Sequence, residues 1–119
     1  MVDKLHNFRL MLLIIFIPVL FSCASTQQKQ EESRDTDFYI KQGIAYFKKG
    51  QYDQAISDFN KALEINPRDA WAYNSRGVAY YFKREYEKSW KDVEKAQSLG
   101  YQIHPEFLDD LRKASGRQN

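Results

Sequence analysis

Residues 38–69 read FYIKQGIAYFKKGQYDQAISDFNKALEINPRD, and residues 72–103 read AYNSRGVAYYFKREYEKSWKDVEKAQSLGYQI. The two stretches align at a constant offset of 34 positions. Tyr39 recurs as Tyr73, Gly43 as Gly77, Ala45 as Ala79 and Tyr46 as Tyr80. Tyr52 recurs as Tyr86, Asp58 as Asp92, Lys61 as Lys95 and Ala62 as Ala96. Conservative pairs lie between them, among them Ile44 with Val78 and Phe47 with Tyr81. These eight identities at one spacing exceed chance, and such a period marks a helical repeat array.

Each unit divides into two amphipathic stretches at helical spacing. In the first unit Tyr39, Tyr46 and Phe47 mark the core side of one helix. Tyr52, Ile56, Phe59, Leu63 and Ile65 mark that of the next. Gly50 lies between them, where a helix end favours a residue that takes positive φ. Asn66-Pro67 stops the second helix, because the residue before a proline is pushed out of the α region. Asp69 is placed to cap the helix that follows.

At these residues the sequence resembles the tetratricopeptide repeat, with its pattern W-x2-L-G-x2-Y followed by A-x3-F, A and P. Tyr39, Gly43 and Tyr46 match the first helix, and Ala55, Phe59, Ala62 and Pro67 match the second helix and closing turn. Tyr73, Gly77, Tyr80 and Ala96 match in the second unit, where Ser89 stands for the small Ala and Val93 for the aromatic. Gln42 and Arg76 occupy the usual Leu, Arg84 replaces the Gly of the inner turn, and Gly100-Tyr101 replaces the closing Pro. The resemblance implies an all-α fold, a small α-solenoid with one repeat over 35–68, a second over 69–102 and a short capping helix over 103–116. Pro105 suits the first turn of that helix, Glu106 favours its dipole, and Phe107, Leu108 and Leu111 form its apolar stripe. The six repeat tyrosines, Tyr39, Tyr46, Tyr52, Tyr73, Tyr80 and Tyr86, are read as core packing.

Upstream of the repeats, Lys4 and Arg9 precede an unbroken apolar run from Leu10 to Phe21. A bilayer span needs roughly 20 apolar residues, so this shorter run reads as the core of a signal peptide over 1–22. Cleavage would show directly as faster gel migration. Leu20-Phe21-Ser22-Cys23 resembles the lipobox of bacterial lipoproteins. That resemblance implies a diacylglyceryl group on the Cys23 thiol and an acylated α-amine. Two or more chains hold a protein at a membrane where one holds it only marginally. Ala24-Ser25 follow without an Asp, which in the resembling lipoproteins favours the outer membrane over the inner. Residues 23–34 then read as a lipidated Cys and a flexible polar tether, since a single Ala is the only apolar residue after Cys23.

The chain of 119 residues allows one small domain, and 18 Lys+Arg against 16 Asp+Glu leave no electrostatic footprint for nucleic acid. One cysteine excludes an internal disulfide framework and a cysteine-only metal cluster. The sequence contains no GxxxxGKS/T, GxGxxG, GxSxG, HExxH or CxxC. His104, the one histidine after the leader, sits beside a helix start and reads as a surface or capping residue. The expectation is therefore a noncatalytic chain with no cofactor and no metal.

In the resembling family the first helix of each repeat lines a concave groove for peptides or partner helices. Carried over by repeat position, the groove would take Ile40, Ile44, Phe47 and Lys48 from the first repeat. Trp71, Asn74, Val78, Tyr81 and Phe82 would come from the second. Ile40 and Ile44 stand where a carboxylate clamp would need polar groups, which argues against capture of a C-terminal carboxylate. Lys48-Lys49 and Lys83-Arg84 are placed to meet acidic groups at the rim. The expected role is a lipid-anchored module that recruits an envelope protein. The alternative is a homo-oligomeric subunit or assembly factor of a secretion or pilus complex. Two repeats bury little surface by themselves, so the capping helix and self-association are expected to supply the rest.

Overall fold

The computed structural model describes residues 2–117, with side chains from Cys23 onward. Among the described residues it is all-helical: α1 (Val2–Lys48), α2 (Tyr52–Ile65), α3 (Ala70–Phe82), α4 (Tyr86–Ser98) and α5 (Pro105–Ser115). The chain divides into two units, residues 1–33 and 34–119.

In the first unit, residues 23–33 are helical and every side chain is exposed. The tether expected over 24–34 is thus helix, not irregular chain. Its Gln, Lys, Glu and Arg residues are good helix formers, and it has no Gly or Pro to interrupt them. The side chains of the expected signal peptide, 1–22, lie outside the described residues. Among the described residues no helix is long and apolar enough to cross a membrane.

The second unit is a small α-solenoid of tetratricopeptide-like helix pairs. Its turns follow from particular residues. Gly50 takes φ +73 and its N–H donates to the Phe47 carbonyl at 2.9 Å, ending α1. Asp69 caps α3, its carboxylate accepting from the Ala72 N–H at 3.0 Å. Arg84 stands in Gly50's register and keeps the same backbone form, at φ 62. An L side chain in that region costs roughly 1–2 kcal/mol.

Helix approach is set by small residues. A Cβ on Gly43 would lie 2.7 Å from Phe59 Cε1, so the Phe59 ring occupies the space that any side chain there would need. A Cβ on Gly77 would lie 3.2 Å from Asp92 Cβ and 3.3 Å from the Ser89 carbonyl oxygen. Ser89 is fully buried, and its hydroxyl donates to the Gly77 carbonyl at 2.7 Å. It fills the place of Ala55 because it is equally small and finds a backbone acceptor.

Three apolar clusters build the core. Ile40, Ala62, Leu63 and Ala72 form one, and Ala55, Ile56, Phe59 and Ala79 a second. Trp90, Val93, Ala96, Ile103 and Leu111 form the third. The six repeat tyrosines are half-buried, and all but Tyr52 pack against these clusters. The register of 34 continues into α5, putting Phe107 in the place of Tyr73 and Leu111 in that of Gly77. α5 is therefore the first helix of a third unit. Leu111 is fully buried against the α4 cluster, and Trp90 Nε1 donates to Ser115 Oγ at 3.0 Å.

Gly43→Ala is expected to lower stability by about 1–3 kcal/mol, because the Phe59 ring must move to admit one methyl group. Thermal unfolding followed by circular dichroism checks this, and an unchanged midpoint would show that the contact is not tight.

Candidate functional site

An aromatic row crosses the ends of the first helices. Phe82 lies with its ring centroid 5.3 Å from Phe47 and 5.5 Å from Tyr52, on which it stacks. Phe47 and Tyr52 are 5.4 Å apart. Tyr81 meets Phe82 edge-on at 5.5 Å and Phe107 of α5 at the same distance. Such pairs contribute about 0.5–1.5 kcal/mol each beyond their buried area. Phe82 nevertheless remains 51% exposed.

Eight of the nine residues expected in the groove have side-chain surface to offer. Trp71 is 44% exposed, Lys48 is exposed, and Ile44, Phe47, Asn74, Val78 and Tyr81 are half-buried. Ile40 is the exception and is corrected here. At 1% exposure it belongs to the core with Ala62, Leu63 and Ala72, and reaches no partner without unpacking. Tyr81 is shared, since it packs on α5 as well as on Phe82. Ile44 also touches two core clusters.

Two residues of this surface escaped the sequence reading. Tyr52 was assigned to packing only, yet it holds the exposed Phe82 by stacking. Its position two residues past the turn Gly was the available signal. Phe38 is 58% exposed and meets Tyr39 at 5.4 Å. It precedes a core tyrosine, so helical spacing already turned it away from the interior.

The TPR repeat family model matches residues 43–83, which span the end of α1, all of α2 and all of α3. This match supports a tetratricopeptide-repeat protein. An uncharacterised protein of Methanocaldococcus jannaschii is 42% identical over 43 residues, 34% of this chain. The chain spans about half the length of that curated relative, at 50%. The matched stretch contains Phe47, Tyr52 and Phe82 of the aromatic row. Repeats of this kind are generally noncatalytic interaction modules.

The charges around the tetratricopeptide turns sort into paired and unpaired. Lys83 Nζ lies 2.6 Å from Asp53 and 2.7 Å from Glu85, and these bonds hold its ammonium well above the usual lysine range. Glu85 also accepts from Lys88, and the two ammonium groups draw its carboxyl below the usual glutamate range. A depressed carboxyl supports the fold above its ordinary pKa and loses that support as pH falls through the folded value. The effect is small because the groups are solvated. Lys48, Lys49 and Arg84 are exposed and form no ion pair among the described residues. The rim thus keeps free positive charge beside the aromatic row.

Deeper in the stack, Arg76 gives two 2.7 Å bonds to Asp92 and one of 2.7 Å to Asn60. The Asp92 bonds raise the Arg76 pKa, and the fork ties α2, α3 and α4 together. Asp58, in Asp92's register, has no such arginine, because Gln42 stands where the second repeat has Arg76. Its Oδ1 accepts from Lys61 at 3.3 Å, while its buried Oδ2 has no hydrogen-bond partner. His104 precedes α5 as its N-cap with no side-chain cap bond, and its exposed ring lies 3.8 Å from Glu106. Among the described residues no group of three or more His, Cys, Asp or Glu is arranged to hold a metal ion. Cys23 is an exposed free thiol.

Proposed function

We propose that this chain is a noncatalytic binding module, held by lipid on Cys23 at a bacterial envelope membrane, that recruits or positions an envelope protein. The observation that carries the binding role is the exposed aromatic surface on a rigid helix stack. Trp71, Phe82 and the edges of Phe47 and Tyr81 offer large apolar area at little cost in side-chain entropy. Buried aromatics of this kind are the usual anchors of protein interfaces. Ile44, Asn74 and Val78 lie between them on the same helices, and Lys48 adds charge at the rim. The anchor rests on the apolar run that ends in Leu20-Phe21-Ser22-Cys23 and on the exposure of Cys23. The absence of an Asp after Cys23 favours the periplasmic face of the outer membrane.

Two measurements test the reading. A photoreactive residue in place of Trp71, activated in cells of the native host, is expected to give one dominant foreign crosslink. Phe82→Ala is expected to weaken that crosslink about tenfold or more, the loss of a hot-spot residue of about 2 kcal/mol. Crosslinks only between copies of this chain would favour the homo-oligomeric subunit instead. Separately, Cys23→Ser is expected to move the protein from the membrane fraction to the soluble fraction and to remove its lipid mass. Unchanged membrane retention without lipid mass would exclude the anchor.

A further inference from the structure

The repeat register exposes a place that the first unit fills and the second leaves open. Tyr52 opens α2, and Phe82, the last residue of α3, stacks on it at 5.5 Å. Tyr86 opens α4 in Tyr52's register, offset by 34. The residue in Phe82's register is Gly116, where α5 has ended and the backbone turns at φ +70. Tyr86 therefore receives no ring from the following helix. In its place is a hollow of about 380 Å³ lined by Arg84, Glu85, Tyr86, Glu87, Lys88 and Ser115. Tyr86 itself is steadied by Tyr81 at 5.8 Å.

The charges of the hollow are accounted for one by one. Glu85 is held by Lys83 and Lys88. Glu87 is held by Arg117 at 2.8 Å. Arg84 is the cation left over, with no ion pair among the described residues. It also keeps its side chain at φ 62, where a glycine would be relaxed and where Gly50 serves the first unit. Strain retained at one residue beside an open site points to use of that residue.

We propose that this hollow is a docking subsite for an aromatic side chain of a partner protein, with a carboxylate next to it in the partner's sequence. The ring stacks on Tyr86 as Phe82 stacks on Tyr52, and the carboxylate pairs with Arg84. The internal Tyr52–Phe82 pair is the template for the first contact, and charge complementarity with the unpaired Arg84 selects the second. The subsite rests on the binding role proposed above but lies beyond the groove residues assigned there.

The test uses the isotope-labelled full-length chain and three blocked dipeptides: acetyl-Asp-Phe-amide, acetyl-Asp-Ala-amide and acetyl-Asn-Phe-amide. Amide chemical shifts locate and quantify their binding. The Asp-Phe probe is expected to shift Tyr86, Lys88 and Ser115 and to bind at least fivefold more tightly than either control. Tyr86→Leu is expected to abolish the preference for Phe over Ala. Arg84→Gly is expected to abolish the preference for Asp over Asn while keeping that for Phe, with a thermal midpoint no lower than the parent's. Equal binding of the three probes would overturn the subsite. Shifts at Trp71 and Phe82 in place of Tyr86 would also overturn it and would leave the groove reading standing. Tyr86 shifts that follow protein concentration without any probe would mean that a second copy fills the hollow, which overturns the foreign occupant. Probe binding at Tyr86 in a chain that yields no foreign crosslink from position 71 would uphold the subsite and remove the groove.

Discussion

The close contact between Gly43 and the ring of Phe59 governs how the first helix pair packs. Because no Cβ intervenes, the end of α1 settles onto α2 with Phe59 at 1% exposure. Burying a ring of this size stabilises the fold by about 1.5–3 kcal/mol. The second pair solves the same problem differently, with Gly77 against Ser89 and Asp92. There a hydroxyl-to-carbonyl bond replaces part of the apolar contact. The rings of Phe47, Tyr52 and Phe82, on α1, α2 and α3, have centroids within 5.5 Å of one another.

Much of this was legible in the repeat. The period, Gly50, Pro67 and Asp69 marked the turns and caps of the helices, because turns and caps depend on local residue chemistry. The tyrosines were read as core packing, and they are half-buried. The fate of Ile40 did not, since its position in the repeat places it on the groove side while Leu63 and Ala72 close over it. Burial of that kind depends on neighbours distant in sequence, and helical spacing says nothing about them. The helix after Cys23 was not legible either. Low apolar content was read as flexibility, although a polar helix with good propensity also buries nothing. Arg84 was visible as a departure from the repeat, but only the backbone showed that it keeps the conformation of the glycine it replaces.

The departures between the repeats change how the helices are tied together. Arg76 replaces the usual Leu and binds Asp92 and Asn60, so the second repeat is tied to the first by a polar fork. The first repeat has Gln42 at that position and leaves one Asp58 oxygen buried without a partner. At the other end, α5 supplies what a third repeat would have begun. It contributes Leu111 and Phe107 to the α4 cluster and ends at Ser115, so that Gly116 takes the register position of Phe82. Closure of the core and opening of the Tyr86 hollow both come from α5.

The sealed end of the stack depends most on α5, whose Leu111 is fully buried in the α4 cluster. Thermal unfolding of Leu111→Ala in the full-length chain examines that directly. A loss of about 2–5 kcal/mol, the cost of a fully buried leucine, is the result the packing requires. An unchanged midpoint would mean that α5 rests loosely on the second repeat, and the sealed stack would have to be abandoned.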